Sequence, residues 1–351
     1  MELLPIGPVV IIDTAGIDDV GELGQQRIEK SKKIIERTDI AILVCDYEGW
    51  SQPDENLAKE FQNKNIPVIS VINKIDLKDI DNTNFEKIKN NSNAVIKISA
   101  KNDTDIISKI KEALIRTVPE NFINPPSILE GLVSPEDLVI LVTPIDKEAP
   151  KGRLIMPQVN VLRELLDNNC ISIVVTEKNL QKALNTTKNE PKIVITDSQA
   201  FKQVSEIIPN NISLTSFSIL FARLKGDLNE FINGAKQIDK LKNGDKVLIC
   251  ESCTHHAIED DIGKVKIPKL IKQKTGKEII FEHVSSHDFP KNINDYALII
   301  HCGGCMTNRR EILSRISKSK EKNVPITNYG IAISYCIGIL ERATKVFLKN
   351  C

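Results

Sequence analysis

The sequence predicts an α/β protein built from three successive α/β domains. Short apolar, β-branched runs alternate with stretches of helical periodicity along the whole chain, the rhythm of parallel sheets covered by helices. Pro119 and the pair Pro125-Pro126 interrupt that rhythm and mark a linker. The length of 351 residues accommodates two or three domains at roughly 100–200 residues each.

In residues 1–122 the expected strands are 9–12, 40–44, 68–72 and 94–98, with helices over 25–37, 55–63 and 106–116. Residues 128–212 repeat the pattern on a smaller scale. Strands are expected at 138–142, 171–175 and 193–195, and helices near 159–166, 178–184 and 199–208, with Asp197-Ser198 as an N-cap pair. Residues 213–351 open with helical patterns at 216–223 and 227–240. Strands at 246–250, 279–281 and 296–300 follow, then helices over 308–319 and 331–344.

Bulk properties exclude several classes. Lys+Arg and Asp+Glu are equal at 47 each, so the chain lacks the basic footprint of a nucleic-acid binder. Eight cysteines are too sparse for a disulfide scaffold and fit a reducing cytoplasm. The longest apolar stretch, 329–340, is well short of the ~20 residues of a membrane span. The N-terminus has no basic region before its apolar run, so it does not read as a signal peptide.

Three motifs sit just after apolar strands. Asp13-Thr14-Ala15-Gly16 is D-x-x-G, Asn73-Lys74-Ile75-Asp76 is N-K-x-D, and Ser99-Ala100-Lys101 is S-A-K. Each is weak alone; their order on alternating strands is that of the GTPase superfamily. Asp13 would stand in the outer sphere of Mg²⁺, and the Gly16 amide would meet the γ-phosphate. Asp76 would accept two hydrogen bonds from the guanine edge, Asn73 and Lys74 would brace the base, and the Ala100 amide would reach the guanine carbonyl. No G-x-x-x-x-G-K-[ST] occurs in the chain, although its amides and lysine are what cradle the phosphates. That loop precedes D-x-x-G by about 30 residues or more, whereas twelve residues precede Asp13. The chain is therefore expected to begin inside a domain, and to bind GTP poorly and hydrolyse it negligibly.

Near the C-terminus, Cys253-Thr254-His255-His256 reads C-x-H-H, and His301-Cys302-Gly303-Gly304-Cys305 reads H-C-x-x-C. All five histidines fall between 255 and 301. Thiolate and imidazole hold soft or borderline metals. Both motifs follow strand ends, where open α/β sheets bind ligands. The residues leave three chemistries open: structural zinc, a C-x-x-C redox pair at Cys302 and Cys305, or an Fe–S cluster with three thiolates and one replaceable site. His255 and His301 are the candidates for a fourth ligand. His283 and His287 sit in a polar stretch and read as solvated.

Together these motifs resemble the [FeFe]-hydrogenase maturation GTPase family, HydF, across essentially the whole chain. Asp13 to Asp19 resembles its G3 region. Thr143-Pro144-Ile145-Asp146, Lys151-Gly152-Arg153-Leu154 and Asp197-Ser198-Gln199-Ala200 resemble its dimerisation domain. Cys253 to His256, Asp260-Asp261-Ile262-Gly263 and the H-C-x-x-C run resemble its cluster domain. The resemblance implies a partial GTPase domain at 1–122, a small dimerisation domain at 128–212 and an iron–sulfur cluster domain at 213–351. It implies a [4Fe-4S] cluster on Cys253, Cys302 and Cys305, with GTP and Mg²⁺ as regulatory ligands. It further implies a homodimer that receives a di-iron precursor made with two radical-SAM maturases and delivers it to apo-[FeFe]-hydrogenase. The rival reading is a GTP hydrolase with a structural zinc site.

Overall fold

The computed structural model describes residues 1–14, 34–145, 152–252, 261–285, 287–290 and 292–348. The chain forms two compact units, Met1–Pro125 and Pro126–Cys351. Among the described residues no helix is long and apolar enough to cross a membrane.

The first unit opens with a short antiparallel ribbon, β1 (Glu2–Leu3) with β2 (Gly7–Pro8). Its body is a parallel sheet of β3 (Ala41–Cys45), β4 (Val68–Ile72) and β5 (Ala94–Lys97), with β4 in the middle. Among the described residues it is accompanied by helices α1 (Gln52–Asn63), α2 (Asn82–Asn90), α3 (Ile106–Thr117) and α4 (Glu120–Ile123). All five residues of β4 are buried, because a central parallel strand is covered on both faces. Val68 and Ile72 pack with Ala58 and Phe61 of α1 and Ile88 of α2. Ile69 and Val71 point the other way, towards Ile98 and Ala113 of α3.

Two expectations change here. Residues 9–12 form no strand: Val10 and Ile11 are 86% and 75% exposed. The Val9 amide donates to the Met1 carbonyl, and the Met1 amino group donates to the Val9 carbonyl, each at 2.8 Å. The segment thus closes on its own ribbon rather than on a sheet edge. Helix α2, absent from the pattern reading, is nucleated by Asp81, whose side chain accepts from the Asn84 amide. The part of the expected 25–37 helix before residue 34 lies outside the described residues.

Among its described residues the second unit contains two four-stranded parallel sheets. The first holds β6 (Leu138–Val142), β7 (Ile171–Val175), β8 (Ile193–Thr196) and β9 (Ser213–Ser216) in the order β7-β6-β8-β9. The second holds β10 (Lys246–Glu251), β11 (Ile280–Ser285), β12 (Leu298–His301) and β13 (Ile326–Asn328) in the order β11-β10-β12-β13. Both have the same winding: the second strand lies outside the first, then the chain crosses back for the third and fourth. The reversal leaves a crevice at the carboxyl ends of the first and third strands, the position where such sheets take ligands. Its walls in the second sheet are β10 and β12.

Helices α5 (Met156–Asp167), α6 (Leu180–Thr186), α7 (Phe201–Ile207), α8 (Phe217–Lys225), α9 (Leu228–Ala235), α10 (Ile267–Thr275), α11 (Arg309–Glu321), α12 (Tyr329–Cys336) and α13 (Leu340–Leu348) cover the sheets. Helix α8 is buried on two sides. Phe217, Leu220 and Phe221 enter one core with Val139 and Ile195, while Ile219 and Ala222 enter another with Val194, Leu248 and Ile299. Helix α13 returns to the first sheet, where Val346 and Phe347 pack on the core that holds Phe217.

Strands β9 and β13 and helix α10 were not visible as patterns. β9 is Ser-Leu-Thr-Ser, and Ser216 ends it while capping α8. Asn328 likewise ends β13 and caps α12. With no loop between strand and helix, the period changes without a break. The single helix expected over 331–344 divides into α12 and α13 at Gly338, whose φ of 78° is left-handed. Asp197 is not an N-cap; α7 begins after Ala200, and Asp197 Oδ1 instead accepts from the Gln199 amide at 3.3 Å.

Candidate metal centre and nucleotide loops

In the second unit, the H-C-x-x-C motif continues directly from β12. The Cys302 amide donates to the Cys250 carbonyl at 2.8 Å, so the ladder of β10 and β12 extends to the first cysteine. The thiol of Cys302 is buried, and the Ser252 amide donates to its sulfur at 3.2 Å. Ser252 immediately precedes Cys253. Cys253, His255 and His256 lie outside the described residues, and among the described residues no three potential ligands converge.

Cys305 is half-buried in the turn before α11. Burial pushes its thiol up, and the neighbouring Cys302 adds to that. Lys225 and the backbone amides of Met306 and Cys305 oppose it. Gly304 makes the turn possible. Its φ is +63°, and a Cβ there would stand 2.5 Å from Ile312 Cδ1 and 2.9 Å from Thr307 Oγ1, so a side chain would be strained and would have to displace Ile312. Lys225, at the end of α8, reaches beneath the turn and donates to the carbonyls of Gly304, Cys305 and Thr307. Burial pushes its ammonium down from the ordinary lysine value, and Cys305 and Cys302 pull it back up.

His301 is 1% exposed. Arg315 Nη1 approaches its Nε2 at 2.8 Å. A guanidinium only donates, so Nε2 is the acceptor and the ring proton is on Nδ1, aimed at the Cys302 carbonyl at 2.7 Å. Both ring nitrogens are therefore engaged inside the protein, and neither faces a ligand in this arrangement. Arg315 also donates to Glu311 Oε1 at 2.5 Å, and Glu311 Oε2 meets His287 Nδ1 at 2.9 Å. His287, read from sequence as solvated, closes this chain of polar groups. Lys225, Arg315 and Glu311 carried no motif. The signal for the last two was a charged i,i+4 pair beside Ile312 and Ile316 on the buried face of α11.

At the other wall, Glu251 accepts from the Tyr329 hydroxyl at 3.0 Å. Burial, then the charge of Asp261, pushes the Glu251 carboxyl up. Cys250 is fully buried and its thiol is pushed up to about 12, which keeps it protonated and unlike a ligand.

In the first unit, the loops after β4 and β5 meet. Asn73 Oδ1 accepts from the Lys74 amide at 2.7 Å and from the Ala100 amide at 2.9 Å. Lys74 has a left-handed φ of 59°, and its ammonium stands 3.5 Å from Asp46. The buried Ser99 hydroxyl donates to Asp76 Oδ1 at 2.7 Å, fixing an exposed carboxylate at the loop tip. Lys101 is exposed. The Ala100 amide, the candidate donor to a base carbonyl, donates here to Asn73. Asp13 is exposed, and Gly16 lies outside the described residues.

Comparison with known proteins gives these features a context. Residues 128–226 match the hydrogen maturase F dimerization domain, and residues 229–346 match the hydrogen maturase F tetramerization domain. Residues 3–74 match a 50S ribosome-binding GTPase family. A tRNA modification GTPase MnmE of Prochlorococcus marinus (strain NATL1A) is 39% identical over 83 residues, 23% of this chain and 17% of that protein. GTPase Der of Aliivibrio fischeri (strain MJ11) is 31% identical over 107 residues, 30% of this chain and 21% of its own. GTPase Der of Rickettsia rickettsii (strain Iowa) is 29% identical over 223 residues, 60% of this chain and 48% of its own. The chain thus spans less than half the length of these curated relatives. The two maturase matches adjoin and together cover more than half of the chain, so this protein, with its GTPase-type N-terminal segment, belongs to the hydrogen maturase F family.

Proposed function

We propose that the protein is a cluster-carrying scaffold for hydrogenase maturation. In this reading a [4Fe-4S] cluster is held by Cys253, Cys302 and Cys305, a di-iron precursor is its cargo, and apo-[FeFe]-hydrogenase is the recipient. The carrying observation is the Cys302–Cys305 turn at the switch crevice of the second sheet. There the Ser252 amide donates to the Cys302 sulfur, the Cys305 and Met306 amides favour the Cys305 thiolate, and an ammonium lies beneath. Thiolate donors, amide donors and a fixed cation suit an anionic sulfide cluster. A bound cluster would supply a site-differentiated iron for the cargo. The chain's own residues orient the two sulfurs, and buried His301 leaves the fourth position to another group.

The same reading divides the second unit into a dimerisation part at 128–212 and a cluster part at 213–351, assembled as a homodimer in the cytoplasm with two radical-SAM maturases as upstream partners. The maturase profiles support self-association of both parts. Asp13, Gly16, Asn73, Lys74, Asp76, Ser99, Ala100 and Lys101 form the GTP-side candidates. The orientation of Asp76 by Ser99 supports guanine recognition. Anaerobic reconstitution with iron and sulfide tests the scaffold reading. A brown protein with about four irons per chain, lost in Cys302→Ala, is the expected result for a thiolate-held cluster. Stoichiometric zinc without iron uptake overturns it. Tight Mg²⁺-dependent GTP turnover that survives Cys302→Ala favours the hydrolase with a structural zinc site instead.

A further inference from the structure

Lys225 closes the segment that matches the dimerization domain, yet its ammonium ends under the cysteine turn of the segment that follows. Nζ donates to Gly304 O at 2.7 Å, Cys305 O at 3.1 Å and Thr307 O at 2.7 Å. An ammonium has three donors and no acceptor, so these three carbonyls use its capacity. The residue before it, Leu224, accepts from Arg309 at the far end of the same turn. Phe221, one helical turn back, places its ring 5.6 Å from Nζ. The end of α8 is therefore stitched to the whole turn.

The direction of those carbonyls matters for the sulfurs. In a planar trans peptide the C=O and the following N–H point opposite ways. Carbonyls 304, 305 and 307 gathered onto Nζ turn the amides of Cys305, Met306 and Asn308 away from it. The amides of Cys305 and Met306 favour the thiolate of Cys305.

We propose that Lys225 is the positioning residue of the Cys302–Cys305 turn: it aims the turn's amides at the Cys305 sulfur and supplies a fixed positive charge beside both thiols. The dimerization-type segment thereby completes the metal site of its neighbour. The proposal rests on the cluster reading above, and its test separates the two.

Full-length wild type, Lys225→Met and Lys225→Arg are compared, with circular dichroism as the folding control. In the metal-free protein, amide hydrogen exchange over 303–308 should quicken in both variants, because methionine has no donor and a planar guanidinium spreads its donors over three nitrogens instead of gathering three carbonyls on one. After anaerobic reconstitution, Lys225→Met should lose iron to a chelator on the order of tenfold faster, as befits lost charge-assisted hydrogen bonds. Its midpoint potential should become more negative. Lys225→Arg keeps the charge and should hold the midpoint near wild type. Unchanged exchange in a folded variant overturns the positioning role, whether or not iron binds. Unchanged midpoint and iron loss in Lys225→Met overturn the electrostatic role. Failure of wild type to take up iron and sulfide removes the cluster reading and leaves the exchange result to judge Lys225.

Discussion

The buried pair behind Cys302 makes a quantitative prediction. The side chains of Arg315 and Glu311 are only 3% and 7% exposed. Arg315→Met removes the donors to His301 and to Glu311 and leaves the Glu311 carboxylate in the interior with His287 as its remaining named partner. Removing one member of a buried ion pair costs roughly 3–5 kcal/mol, because the other charge stays desolvated. Replacing both members with neutral groups avoids that penalty. Arg315→Met with Glu311→Gln should therefore be less damaging than the sum of the single changes, with a coupling on the order of 2 kcal/mol. In a unit of this size each kcal/mol moves the melting temperature by roughly 2–4 °C, so the single Arg315 variant should melt about 10 °C lower. Urea and thermal unfolding of the metal-free chain, followed by circular dichroism, measure both quantities. A single variant within about 0.5 kcal/mol of wild type, the usual range for surface changes, would refute the argument. Strict additivity in the double variant would do the same.

Four further outcomes follow from the packing. Gly234 of α9 lies against β13 so closely that a Cβ would overlap the Ile326 carbonyl; Gly234→Ala should destabilise by about 3 kcal/mol through overpacking, read as a lower urea midpoint. Burial pushes the thiols of Cys45, Cys250 and Cys336 up to about 12. These should resist alkylation at pH 8 until the chain is unfolded, as mass spectrometry would report. The same groups keep protons in the folded state that the unfolded state releases from pH 9.0, so stability is intact below that value and falls as pH rises towards 12. Arg342 of α13 donates to the carbonyls of Ser205, Ile208 and Pro209 at 2.8–2.9 Å; Arg342→Met should quicken amide exchange around α7, and unchanged exchange there would remove that clamp from the account.

The central strands were legible because burial on both faces writes an unbroken apolar run. β4 and β6 fall at the residues their sequences suggest, and β10 and β12 within two; β7, an edge strand with Ile171 and Val174 exposed, is equally legible from its β-branched run alone. Short strands that hand over directly to a helix, as Ser216 and Asn328 do, leave no such run. Residues 9–12 show the converse: Val-Val-Ile-Ile reads as a strand, but apolar character alone does not pair a backbone, and the ribbon with Met1 takes Val9's hydrogen bonds. Of the site, the cysteines were legible from ligand chemistry and spacing. Lys225 was not, because nothing in a lysine's surroundings in sequence reveals carbonyls about eighty residues later. The setting of His301 was hidden for a related reason: nothing beside it in sequence reveals Arg315 on α11, whose guanidinium donates to its Nε2.

The return of α13 to the first sheet bears on how the molecule can be made. Strands β6 to β9 are all delivered by Ser216, but Val346 and Phe347, which cover part of the core beneath them, come from the last helix described. During synthesis that apolar surface stands open while the whole second sheet is still emerging. Neither sheet can be cut out as an independent piece at a boundary drawn along the sequence, because α8 serves two cores and α13 belongs to the sheet it does not follow. The last cover of the dimerization-type core therefore comes from the end of the part that carries the cysteines, long after its own strands have been made.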